Sequence, residues 1–382
     1  MDNITKCSDK TDINKIMSKV LKGTQTFLEV IGEVVPFCSV AAKIIKEIQN
    51  NSERQDIGDF TNQVLQIGEK LDDIINNCSQ INNEIEKLGM DVKFSKIEEA
   101  IKTQYKYYTE ILNEVPELRV KKTEDFCDHY LRTKGESSLN ELYDGVMGNE
   151  EIDILEIVKN YQSRDRRVME EFCAHLGYLF LIGISALMAY ASLKGLDVSK
   201  REKEWTEKMA AIKSQMTSAI EYCIKNFEDQ AKTDLQKFTK NSYHELLVDR
   251  IFCFLEKKYY WVQWSVKAYR QPKTWFPAFT RDTNEYTIGE RHFTLSEADN
   301  LKIVVSYCAE RQKIDQEQIQ QTFTDIVQKG KIKDVAEAIY EKIPNSFVHV
   351  IKSSNNITEK NNFSDLCYYC IQNKNCHLFV HC

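Results

Sequence analysis

The sequence predicts a mainly α protein: an elongated bundle of long antiparallel helices with an apolar central helix, followed by a small α+β module. Three observations predict it. Gly (13) and Pro (5) are sparse in 382 residues, so turn formers are too few for a chain of many short strands. Apolar residues recur at heptad spacing in two separate runs. Between these runs, Phe172–Leu193 holds 22 residues without one Asp, Glu, Lys or Arg, in a chain of mean hydropathy −0.47.

The apolar share of 42% and charged share of 29% are those of a globular chain. The expected division is a helical bundle over 1–259 and a smaller module over 260–382. The net charge of −7 gives no electrostatic basis for nucleic-acid binding. No apolar leader segment is visible in the first residues, MDNITKCSDKTDINK. A cytoplasmic, membrane-associating location is therefore expected, with secretion as the alternative if a leader precedes this sequence.

Taken in chain order, the segment Val20–Ile45 is apolar but interrupted by charge and by Pro36, which kinks or divides a helix. It suits burial against Phe172–Leu193. From Phe60 the apolar positions run Phe60, Val64, Ile67, Leu71, Ile74, Cys78, Ile81, Ile85 and Leu88. This is a 4-3-4-3 coiled-coil seam on a helix about 45 Å long at 1.5 Å per residue. Ile97, Ile101, Tyr105, Tyr108 and Leu112 form a further stripe, which Pro116 stops. The second heptad run is Trp205, Met209, Ile212, Met216, Ala219, Cys223 and Phe227. Both heptad runs fit packing inside one chain, and both also fit an intermolecular coiled coil.

The apolar run itself points apolar groups all round a helix, so it is not a surface helix. It is long enough to cross about 30 Å of hydrocarbon. Its nine Leu, Ile and Phe residues contribute about −3 to −5 kcal/mol towards insertion. His175 and several Gly, Ser and Tyr residues offset much of that. Arg164, Arg166 and Arg167 before it and Lys194, Lys200 and Arg201 after it give no clear orientation. Three readings stay open: a core helix, a helix stored and released to lipid, and a permanent anchor. Leu176, Phe180, Ile184, Leu187 and Met188 are the candidate membrane-contacting residues of the run.

The stretch Tyr259–Phe279 places Trp261, Trp264 and Trp275 among Lys and Arg, with Pro272 and Pro277 breaking it. Aromatics interleaved with cations suit a membrane interface, so these tryptophans join the candidates. They also suit base stacking, or an aromatic strand packed on the bundle. Ser296-Glu-Ala-Asp299 has capping-box spacing and predicts a helix to about Tyr307. Two more helices are expected near 314–328 and 333–342. Phe347–Ile351 and Leu378–His381 read as short strands.

No Walker A, G-x-G-x-x-G, H-E-x-x-H or G-x-S-x-G motif occurs, so no enzyme chemistry is expected. The tail C-x₂-C-x₅-C-H-x₃-H-C is the candidate metal site, with Cys367, Cys370, Cys376, His377, His381 and Cys382 as ligand types. A structural zinc, two disulfides and free thiols all fit it. Otherwise no cofactor is expected.

Leu142–Gly148 (LYDGVMG), Arg164–Cys173 (RDRRVMEEFC), the apolar run and Glu204–Met209 (EWTEKM) together resemble the rapunzel and cephalotoxin-like family. The resemblance covers about residues 15–310 and is most specific over 142–209. It implies a helical fold similar to that of the cytolysin-A-type pore-forming toxins. In those toxins an apolar element is sheltered in the soluble form and exposed on lipid. Lipid membrane, and homo-oligomer formation on it, are the implied partners. The resemblance supplies no catalytic residues. Secreted cephalotoxin members carry a leader and cysteine-rich modules, which makes this chain more similar to the intracellular rapunzel type.

Overall fold

The computed structural model describes residues 91–149, 153–161, 163–236, 238, 244–270, 284–296, 301–310, 312–327, 331–353 and 356–382. The apolar segment 20–45, the first heptad run 60–88 and Trp275 lie outside the described residues. The chain divides into two compact units, Met1–Asn226 and Phe227–Cys382.

In the first unit the described residues form six helices: α1 (Asp91–Asn113), α2 (Pro116–Arg132), α3 (Gly135–Met147), α4 (Ile154–Tyr161), α5 (Arg166–Leu193) and α6 (Val198–Lys225). α1 buries Ile97, Ile101, Tyr105, Tyr108 and Ile111 on one face, and Leu112 is only half-buried. Pro116 does more than stop a helix. It sits in the first turn of α2, where its missing N–H costs nothing, behind an extended Val115 cap. α6 buries Trp205, Met209, Ile212, Met216, Ile220 and Cys223, so its heptad seam packs inside this chain. Phe227 leaves that seam and begins the next helix.

The second unit has four layers. Its described elements are α7 (Phe227–Gln236), α8 (His244–Lys258), β1 (Gln263–Arg270), β2 (Glu285–Ile288), β3 (His292–Ser296), β4 (Leu301–Cys308), α9 (Gln316–Val327), α10 (Ile332–Lys342), β5 (Phe347–Lys352), β6 (Thr358–Asn361), β7 (Tyr368–Gln372) and β8 (Cys376–His381). Two antiparallel sheets, ordered β3-β4-β1-β6 and β2-β5-β8-β7, stack face to face. α7 and α8 cover the first sheet through Leu235, Leu247, Ile251 and Leu255. α9 and α10 cover the second through Ile319, Phe323, Val335 and Ile339.

One expectation is corrected here. Residues 301–308 are a strand, not a helix begun at Ser296. The β-branched Ile303, Val304 and Val305 pair with both β1 and β3, and this packing overrides the local cap signal. The unit boundary falls after Asn226, whereas the sequence places it at 259–260. The reason is Phe227, whose ring meets Tyr259, Trp261, Trp264 and Tyr307 at 5.0–6.4 Å and ties α7 to the sheets. The expected helices near 314–328 and 333–342 and the strands at 347–351 and 378–381 correspond to α9, α10, β5 and β8.

Candidate functional site

α5 is the centre of the first unit and the candidate site. Asp165 caps its start, accepting from the backbone N–H groups of Arg167 and Val168 at 2.9 and 3.3 Å. Without Pro, it then runs unbroken for 28 residues. By length and composition it is able to cross a membrane: an 18-residue window has mean hydropathy 1.9, and 94% of that window is buried. Leu176, Phe180, Ile184, Leu187 and Met188 are all fully buried. The five candidate residues are therefore covered by protein in this form.

Each neighbour contributes a specific contact. α6 sets Trp205 against Phe180, ring centroids 6.4 Å apart. α2 stacks Tyr130 on Tyr190 at 4.5 Å, and α1 sets Phe94 against Phe172 at 6.1 Å. Gly183 allows the closest approach. A Cβ there would stand 2.6 Å from Leu139 Cδ1 on α3 and 3.3 Å from Ile101 Cγ2 on α1. Gly183→Leu is accordingly expected to destabilise the helical unit by about 1–3 kcal/mol through overpacking, read as a lower urea midpoint with an unchanged slope.

A polar contact from α1 reaches the run. His175, only 2% exposed, places Nε2 at 3.2 Å from Glu98 Oε1 on α1. Lys102 pairs with the same carboxylate at 2.7 Å. Burial raises the Glu98 pKa, but the hydrogen bond from His175 and the Lys102 ammonium outweigh it and hold Glu98 at about 2. Ser185, also buried, donates to the Leu181 carbonyl at 2.8 Å and so needs no partner outside its own helix.

Of the candidate tryptophans, Trp261 and Trp264 lie among the described residues. Trp264 is completely buried, meets Phe227, Tyr259 and Tyr307 within 5.8 Å, and donates Nε1–H to the Tyr259 carbonyl at 3.4 Å. It is a core residue of the second unit, because the alternation of β1 turns Trp264, Val266 and Ala268 towards α7 and α8. Trp261 is half-buried against Phe227, Tyr259 and Tyr260.

The tail ligand types are split by the same period of two. Cys376 and Cys382 face the α9–α10 core with Leu378 and Val380. His377 and His381 point to the other face, where His381 stacks on Phe363 at 4.3 Å. Cys367 is buried and Cys370 exposed. In this fold the six do not fit one tetrahedral set, and among the described residues no three His, Cys, Asp or Glu side chains come together to hold a metal ion.

A buried polar layer between the two sheets escaped the sequence reading. Lys267, completely buried, donates to Ser265 Oγ at 2.6 Å and pairs with Glu359 at 3.1 Å. Ser265 and Tyr368 both donate to Glu359 at 2.8 Å. Burial pushes the Lys267 pKa down, and Glu359 opposes it. A signal was present: in WSVKAYR, Ser265, Lys267 and Tyr269 share one face of an alternating strand.

The family model for the cephalotoxin-like middle helical domain matches residues 49–244. Protein rapunzel of Danio rerio is 30% identical over 218 residues, spanning 56% of this chain and 96% of that protein. No solved structure matches this chain. The family model spans α5 and the described helices that cover it, and with the rapunzel match it shows that this chain belongs to the rapunzel and cephalotoxin-like family.

Proposed function

We propose that this chain is a non-enzymatic, membrane-interacting protein that stores α5 in a soluble bundle of long antiparallel helices and yields it to lipid. The observation that carries this reading is a helix long and apolar enough to span a bilayer that is nevertheless buried along 94% of its most apolar window. The cephalotoxin-like match supports it through the toxin-like character of that family's name. On the membrane, α5 inserts by its own apolar surface, and copies of the chain assemble there. A cytoplasmic chain that meets an inner membrane surface fits this role.

The second reading is a helical scaffold or regulatory protein whose α5 is only its core. The close packing at Gly183 and the His175–Glu98 contact favour it, since both are ordinary devices of a fixed interior. Dye release from vesicles separates the two. Storage predicts leakage at micromolar protein, together with labelling of Leu176–Met188 by a lipid-phase probe. Absence of leakage across pH and lipid composition, with α5 protected from hydrogen exchange throughout, refutes storage.

A further inference from the structure

Three thiols from three segments meet at one end of the second unit. β7 and β8 pair with Tyr368 opposite His381, so the next residues, Cys367 and Cys382, stand opposite each other. The Cys382 N–H donates to the Cys367 carbonyl at 3.1 Å. The reciprocal bond is not made. The Cys367 N–H goes to Ser364 at 3.0 Å, and the Cys382 carbonyl accepts from the Cys308 thiol at 2.6 Å. Cys308 closes β4 of the first sheet, opposite Gln263, and Gln263 Oε1 accepts from the Cys367 thiol at 3.5 Å. All three cysteines are buried. Directly opposed residues of an antiparallel pair have Cα atoms about 4.5–5.5 Å apart, inside the range of about 4.4–6.8 Å that a disulfide spans.

We infer that Cys308, Cys367 and Cys382 form a thiol–disulfide site, in which Cys367 and Cys382 bridge β7 to β8 and Cys308 exchanges into that bridge. With glutathione disulfide as oxidant, the two thiols lose two electrons and two protons, one S–S bond forms, and two glutathione thiols leave. In the exchange, the Cys308 thiolate attacks Cys382 Sγ. The Cys308–Cys382 bond forms, the Cys367–Cys382 bond breaks, and Cys367 leaves as a thiolate that takes the proton Cys308 gave up. The link then joins the two sheets instead of two strands of one. Burial pushes the Cys382 thiol up to about 11, so thiolate is scarce in the folded protein at neutral pH. Formation and exchange of the bridge are therefore slow in the folded protein and faster while the chain folds.

The test uses the full chain carrying Cys370→Ser and Cys376→Ser, so that a bridge between peptides 361–374 and 375–382 has only one pair of sulfurs to use. The protein is refolded in reduced or oxidised glutathione, acid-quenched, alkylated in denaturant and mapped by mass spectrometry. Oxidation is expected to remove two of the three thiols per chain and to yield the Cys367–Cys382 peptide. Adding Cys367→Ser is expected to give the Cys308–Cys382 peptide, and adding Cys382→Ser to give neither. Full alkylation of all three thiols in the oxidised arm, with glutathione on the exposed Cys253, overturns the inference. So does release of one zinc per chain on thiol titration of the unsubstituted protein. Circular dichroism checks each variant's fold, and if the added serines unfold the chain, peptide mapping of the Cys370→Ser, Cys376→Ser protein decides alone.

Discussion

Trp205→Ala is expected to destabilise the helical unit by about 3–5 kcal/mol and to increase vesicle leakage. The side chain is 3% exposed, packs on Phe180, and meets Tyr143 edge-on at 6.4 Å. Lys208 Nζ lies 4.6 Å over its ring and also donates to Asn140 on α3 at 2.8 Å. Truncation loses the transfer energy of the ring and leaves a cavity between α5, α6 and α3. Against a typical total stability of about 5–15 kcal/mol, the loss is large enough to populate opened forms. The substitution leaves the sequence of α5 untouched, so the helix's own preference for lipid is unchanged. Only its shelter is weakened. Urea denaturation reads the first effect and dye release the second. A chain that loses stability without gaining leakage would favour the scaffold reading.

The second large effect is acid destabilisation of the sheet-containing unit. His349 is completely buried, with Nε2 3.3 Å from the Tyr269 hydroxyl and 3.5 Å from Glu285 Oε2. Burial pushes its pKa down to about 4. Glu285 pulls the other way, and Lys267 and Lys302 add to the lowering. Above the ordinary imidazole value of about 6.5, neither the folded nor the unfolded chain holds this proton. Between about 6.5 and 4 the unfolded chain takes it up and the folded chain does not. Stability therefore falls as pH falls, by about 1.4 kcal/mol per pH unit and about 3 kcal/mol across the window. His381 acts in the same direction: burial depresses its pKa, and the charges of Lys267 and Arg291 add to the lowering. Glu285 adds a loss below 4.5, since its net shift is downward despite burial. Chemical denaturation at pH 7 and pH 5 is expected to show a drop of about 2 kcal/mol from His349, abolished in His349→Gln. An equal pH slope in the variant would show that the proton goes elsewhere.

The helical half was legible because its signal is local. The heptads of α6 and the stripe of α1 are read from spacing alone, and the structure buries the same residues with shifts of one position at Ile111 and Ile220. The sheet-containing half was legible only in part. β5 and β8 are short segments rich in Val, Phe and other strand formers, but β1 reads as a basic aromatic stretch and β4 as a capped helix. Their partners are distant in sequence: Gln263 pairs with Cys308 and Ser265 with Asn361. A strand's identity comes from such partners, and no window of sequence contains them.

The candidate site divides in the same way. The sequence by itself determined that Phe172–Leu193 is a helix able to span a bilayer, because length and hydropathy belong to the segment alone. It also determined the family, through the blocks on either side of that run. Only the tertiary structure decided that α5 is covered by its neighbours, that Trp264 is core, and that Cys376 and Cys382 face away from His377 and His381. Cover, core and convergence are properties of what lies across from a residue. Physical burial is set by neighbours brought from elsewhere in the chain, and only folding supplies them.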